Sequence, residues 1–310
     1  MHELSQAARV NVSADMLRMF ADDFHASGRP SVDAFLFDRK EDYGDLVKVA
    51  VATLFSDIEN RFPIIVRRGA GDQMAIGAHV RAGTDNYWDE AANTTAWYKP
   101  FFNAIFSNKA ECFRGDIKII TFNYDRSFEF HLEAFLRSIG LSTSDIERVF
   151  ANLEIIHVYG CLGFHPAHLE AKKKGAVVRA YGDKNVTHLC NSLHMLTFIG
   201  DNPGRAEEIK EITSASKEIY FVGFGFSADN LKILGMKMKT SERAVMASTL
   251  AGNDWSFDRV VFAQRLGIRP EKIFPNMRIT ASQFVSRVIG PRFAMNLTLQ
   301  EARNIGFGSF

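Results

Sequence analysis

From residue 115 onward, short β-rich runs alternate with helical runs, and this alternation constrains the fold more than any other feature. DIKIIT reads as a short strand, and RSFEFHLEAFLRSIG as an amphipathic helix closed by Gly140. LEIIHVYG (153–160) reads as a second buried strand, and residues 161–186 as irregular. PGRAEEIKEITSAS (203–216) reads as a helix, and KEIYFVGFGFSADNLKIL (217–234) as strand, glycine turn and helix. RAVMAST (243–249) supplies a further strand, SFDRVVFAQRLG (256–267) a helix, and MRITASQFVSRV (277–288) one more short strand and helix. Strands that alternate with helices predict an α/β fold: a Rossmann-like, mostly parallel sheet with helices on both faces. Ligands bind such sheets beyond the carboxyl ends of the strands. That rule puts Asn123, Tyr159–Gly160, Gly223–Ser227 and Ser248–Thr249 along one crevice.

The upstream texture is helical. SADMLRMFADDFHA sets Leu17, Met19, Phe20 and Phe24 near a helical stripe, and Ser31 is placed to cap a helix through VDAFLF. Residues 44–62 carry Leu46, Val49, Ala50, Leu54 and Ile58 at helical spacing. Residues 64–86 are Gly-rich, a loop or hairpin in which RRGAGDQ reads as an insertion. TAWYKPFFNAIFSN (95–108) reads as a helix with Pro100 near its first turn. The expected division is a mainly helical subdomain over 1–110 packed on a core over 111–310, together one unit.

Composition narrows the class. At 310 residues and 46% hydrophobic the chain can bury a sizeable core. A net charge of +1 supplies no field for nucleic acid or an anionic membrane. No apolar run reaches the roughly 20 residues of a membrane span, and the N-terminus lacks the layout of a signal peptide. Cys112, Cys161 and Cys190 stand far apart, which favours a reducing, cytoplasmic setting over a disulfide framework. Cys161, His165 and His168 form the best metal cluster, but Pro166 and the want of a fourth ligand argue against one, so no metal is expected. The 27 phenylalanines read as core and subunit contacts.

Three stretches carry polar or glycine residues at strand ends. In IITFNYDRSFE (119–129), Asn123 offers a donor and an acceptor on rigid backbone, while Asp125 is positioned to cap the next helix. Taken alone, a turn without chemistry is the plainer reading of both residues. In IIHVYGCLG, His157 is either a satisfied core residue or a general base, and Tyr159 shares its strand face. Gly160 would let a ligand approach the backbone. In FVGFGFSADN, Gly223 and Gly225 precede a helix whose first turn bears Ser227 and Asp229, suited to a phosphate or ribose hydroxyl, or to a tight turn alone.

In this order the three stretches resemble the sirtuin-like NAD hydrolase domains of bacterial anti-phage defence systems. PSVDAFLFDRKEDYGDLVKVAVATL resembles that family's helical insert, so the likeness covers about residues 30–250. The resemblance implies cleavage of the nicotinamide–ribose bond of NAD, the substrate, to nicotinamide and ADP-ribose. It implies Asn123 and His157 as catalytic residues. It implies NAD contacts at Thr121, Phe122, Asp125, Tyr159 and Gly160, and at Gly223, Phe224, Gly225 and Ser227. A homo-oligomer is implied, as is a sensor or ATPase partner protein. Two departures stand out. The family's histidine directly precedes a glycine, where this chain has Tyr159, with His157 two residues earlier. The family's opening strand and G-A-G-x-S loop has no counterpart before the helical region, and the GAG of 69–71 follows the insert. The alternative is a catalytically impaired NAD- or ADP-ribose-binding or scaffold subunit. The related deacetylases carry four zinc-binding cysteines, which three cysteines cannot supply, so hydrolysis is expected over deacylation.

Overall fold

The computed structural model describes residues 1–29, 31–61, 64–68, 72–76, 97–106, 117–169, 175–198, 203–224, 228–235, 244–249, 273–277, 281–290 and 293. The chain forms two compact units, each built from two stretches: Met1–Gly83 with Phe113–Pro203, and Thr84–Cys112 with Gly204–Phe310. The N-terminal helices therefore share a unit with the first parallel strands.

The first unit opens with α1 (His2–Ala8), α2 (Ala14–Ser27) and α3 (Val32–Arg61). Ser13 and Ser31 cap α2 and α3, their hydroxyl oxygens accepting from the amides of Met16 and Ala34, both at 3.1 Å. Leu17, Phe20 and Phe24 of α2 pack on Phe35, Leu36, Tyr43, Leu46 and Val47 of α3. Met19 is 59% exposed and lies off the expected stripe. The two helices read here run on from one another across a non-helical kink at Arg39, where φ is −125° and the guanidinium sits between Asp23 and Asp42. The second half of α3 buries Val49, Ala52, Ser56 and Glu59, while Leu54 is 55% exposed. An apolar stripe places this face wrongly because two of its members are polar.

β1 (Ile64–Arg68) and β2 (Asp72–Ile76) form an antiparallel hairpin. β3 (Lys118–Thr121) leads through α5 (Ser127–Ser138) and α6 (Thr143–Asn152) to β4 (Glu154–His157), and the two strands pair in parallel with Thr121 opposite His157; α4 (Tyr98–Ile105) belongs to the other unit. Gly140 closes α5 at φ +83°. A capping box at Ser142 and Asp145 starts α6, an element the apolar pattern did not flag. After β4 come turns, an isolated bridge between Phe164 and Val178, and α7 (Val186–Ser192), capped by the Asn185 side chain. Leu4, Val49, Ala52, Leu162, Leu189, Leu193 and Leu196 form the core joining α1, α3 and α7.

The second unit holds α4, α8 (Pro203–Ala215), β5 (Glu218–Val222), α9 (Ala228–Ile233), β6 (Ala244–Thr249) and β7 (Ile273–Met277). Its three strands pair in parallel in the order β5-β6-β7. α10 (Ala281–Phe284) runs into a π turn at Val285–Ile289, and Phe284, Val285 and Ile289 pack against Trp97, Phe101, Tyr220 and Val222. The helix expected over 256–267 lies outside the described residues. The chain is thus α/β, with helices joining parallel strands. Among the described residues no helix is long and apolar enough to cross a membrane.

Candidate functional site

β3 ends at Thr121, and the chain turns through residues 122–126 into α5. Four sets of hydrogen bonds hold this turn. The Thr121 hydroxyl oxygen accepts from the Asn123 amide at 3.1 Å. The Asn123 carbonyl accepts from Nδ1 of His157 at 2.9 Å. The Tyr124 hydroxyl donates to Asp33 of α3. Asp125 Oδ1 accepts from the Ser127 amide at 3.0 Å and from the Ser127 hydroxyl, so it satisfies the first amide of the helix from one residue before the N-cap Arg126. The Asn123 side chain is left exposed, and its amide makes no hydrogen bond to the described residues.

His157 is 5% exposed and both its ring nitrogens are engaged, Nε2 standing 2.6 Å from Oε1 of Glu129 on α5. A carbonyl can only accept, so Nδ1 carries a proton. Burial opposes the charged imidazolium, but the Glu129 carboxylate, its hydrogen bond and the Asn123 carbonyl outweigh burial and raise the pKa of His157. Burial likewise opposes the Glu129 carboxylate, and His157 with Arg126 outweighs it and lowers that pKa. Both shifts favour the ionic form of the pair. Glu129 Oε2 has no hydrogen-bond partner among the described residues. A histidine so held has no free lone pair with which to take a proton from water.

Tyr159, at the position expected to meet the ligand, is also 5% exposed. Its ring stacks on Tyr124 at 5.7 Å and meets the half-buried Phe122 edge-on at 5.8 Å. Burial raises the pKa of Asp33, with the Tyr124 hydrogen bond offsetting part of the rise. Burial and Asp33 together raise that of Tyr124. Gly160 has φ +74°, and a Cβ there would lie 1.7 Å from the Met195 carbonyl oxygen. The close approach that this glycine permits is to the chain's own backbone.

The residue after Asp125 anchors a second network. Arg126 and Arg179, each 1% exposed, share the carboxylate of Glu59 on α3. Arg126 bonds Glu59 at 2.8–3.0 Å and also the carbonyls of Gly163, Arg179 and Ala180. Arg179 reaches Glu59 at 2.6 Å and the carbonyls of Leu162 and Asp183. Burial, then Arg126, pushes the Arg179 pKa down against the pull of Glu59. This network ties α3, the start of α5 and the 162–183 segment together.

Of Cys161, His165 and His168, the grouping from which no metal is expected, His165 is engaged with other side chains. His165 donates from Nε2 to Glu133 at 3.0 Å, accepts the Ala167 amide at Nδ1, and lies flat on Phe150 at 4.4 Å. Among the described residues no group of His, Cys, Asp and Glu is arranged to hold a metal ion.

The structure thus brings Thr121, Phe122, Asn123, Asp125, His157, Tyr159 and Gly160 to one strand edge. Gly223, at φ +63°, and Phe224 follow β5 in the second unit, and nothing among the described residues comes within 4 Å of a Cβ at Gly223. Gly225 and Ser227 lie outside the described residues. Residues the sequence reading missed are Glu129, Asp33 and Glu59. Glu129 had a signal, being a carboxylate in register with Leu132 and Leu136 on the buried stripe of α5. Comparison with protein-family models, with curated proteins and with solved structures returned no match.

Proposed function

We propose that the chain is a Rossmann-like NAD-cleaving hydrolase, with Asn123 as the catalytic amide at the end of β3. The observation that carries this reading is the contrast at the turn. Its backbone is fixed by Thr121, His157, Asp33 and Asp125, yet the Asn123 amide is exposed and makes no hydrogen bond among the described residues. Nicotinamide departs from NAD as a neutral ring, because its nitrogen is cationic beforehand. What the reaction needs is a water and a ribose held in place, and a preorganised amide supplies that. No strong base is required, so the engagement of His157 does not exclude cleavage; it reassigns His157 from base to support.

The second reading is a subunit that binds NAD or ADP-ribose without turnover. The double engagement of His157 and the burial of Tyr159 favour it. The two separate in one assay of the purified chain, with nicotinamide release followed beside thermal-shift titrations with NAD and ADP-ribose. The first reading expects release and a shift; the second expects a shift alone. Neither release nor shift would end both.

A further inference from the structure

We infer that Glu129 is a positioning residue for the candidate site: through the His157 imidazole it holds the Asn123 carbonyl, and so the direction in which the Asn123 amide points. The inference rests on the NAD reading for its kinetic consequence only. Its geometric basis is independent: a buried carboxylate, a buried ring and a turn carbonyl in one line of hydrogen bonds, at 2.6 and 2.9 Å.

The line spans three elements. Glu129 lies in the first turn of α5, His157 ends β4, and Asn123 follows β3. Thr121 and His157 are partners in the parallel ladder, and the Val158 amide donates to the Thr121 carbonyl at 2.9 Å. The backbones are therefore already in register. What the ladder does not fix is the first residue pair beyond it, and there the imidazole takes over, bridging from the end of β4 to the turn after β3. A neutral imidazole could donate from Nδ1 or from Nε2. With Glu129 ionised at Nε2, both nitrogens are protonated and Nδ1 cannot switch to an acceptor. Glu129 thus removes the tautomer that would repel the Asn123 carbonyl.

The charges facing the pair come from several elements. Asp125 on the turn favours the imidazolium, and Arg126 at the head of α5 favours the Glu129 carboxylate. His168, from the segment after β4, faces both, and burial keeps it neutral, its pKa lowered to about 4. A general base would give an acid limb in the pH–rate profile as it takes up its proton. A positioning imidazolium gives no such limb near the ordinary histidine value, and its contribution fades instead as pH rises through its raised pKa.

The test uses the full chain with ¹⁵N-labelled histidine, alongside Glu129→Gln. In the native protein at neutral pH the His157 ring nitrogens are expected to carry both protons. In Glu129→Gln the ring is expected to become neutral and to share its one proton between Nδ1 and Nε2, with faster amide exchange across 122–126. On NAD, Glu129→Gln is expected to lower kcat about ten- to a hundredfold, the scale of a small misplacement, with KM little changed. His157 unprotonated at one nitrogen in the native protein would overturn the inference, as would unchanged exchange and kcat in Glu129→Gln. If the native chain releases no nicotinamide, the NAD reading falls. The ring protonation and the exchange of 122–126 then decide the positioning role alone.

Discussion

Gly160 and Gly223 stand at comparable places, each just beyond the carboxyl end of a parallel strand and each at positive φ, +74° and +63°. Around Gly160 the space for a side chain is taken by the Met195 carbonyl; around Gly223 the described residues leave it open. VYG and FVG look alike as sequence and invite the same ligand-binding reading. The difference teaches that a strand-end glycine can serve the chain's own packing, and that only contact geometry tells the two uses apart. In the first unit the proposed chemistry therefore rests on Asn123 and not on Gly160, whose side-chain space is taken by the chain itself.

Substitution breaks the comparison most directly. Gly160→Ala is expected to cost more than about 4 kcal/mol, because a backbone oxygen and a left-handed φ both oppose the methyl. Urea unfolding, or loss of soluble protein, reads this. Glu59→Gln comes next: it leaves two buried guanidiniums short of their carboxylate, at about 3 kcal/mol or more. A loss below about 1 kcal/mol there would mean that the Arg126–Arg179 network does not hold the edge. Gly223→Ala should cost about 1 kcal/mol, the strain of its positive φ, since no described residue comes within 4 Å of the added methyl. Equal losses at Gly160 and Gly223 would dissolve the contrast between the two edges.

Acid sharpens the same point, with the sign set by burial. His131 and His168 both have pKa values lowered from 6.5 to about 4, burial being the main cause. The folded chain resists their protonation, so their neutral forms support stability above 6.5, and that support drains as pH falls toward 4. Each should cost roughly 2 kcal/mol at pH 5. The Glu129–His157 pair runs the other way on its histidine side. Its contribution is full below 6.5 and fades as pH rises through the raised His157 pKa; on the acid side it is lost as pH falls through the lowered Glu129 value. Unfolding at pH 7 and 5 with His168→Gln separates the two, since the variant should flatten the acid slope.

Much of the framework was legible in the residues. The strands DIKIIT, LEIIHVYG, KEIYFV and RAVMAST, and helix α5 and the helix after Pro203, follow from period and punctuation. So does the role of Asp125 at the start of α5. α6 and α7 were readable from Ser142–Asp145 and Asn185, local signals weaker than an apolar stripe. What escaped was polar burial. Glu59, Arg126, Glu129 and Arg179 are charged residues in the interior, where each is admitted by a partner far off in sequence. No periodicity encodes such a pairing. For the same reason His157 was readable as a strand residue facing with Tyr159, but not as the donor to the Asn123 carbonyl.

The most direct test of the account is nicotinamide release from NAD by the native chain and by Asn123→Ala, with the melting temperature of each as control. The Asn123 side chain is exposed and makes no hydrogen bond among the described residues, so its loss should leave stability within about 0.5 kcal/mol. Release should be clear in the native chain and fall at least about a hundredfold in the variant, as for a lost positioning group in a transition state. Equal release by both proteins, at equal stability, would contradict the assignment of Asn123.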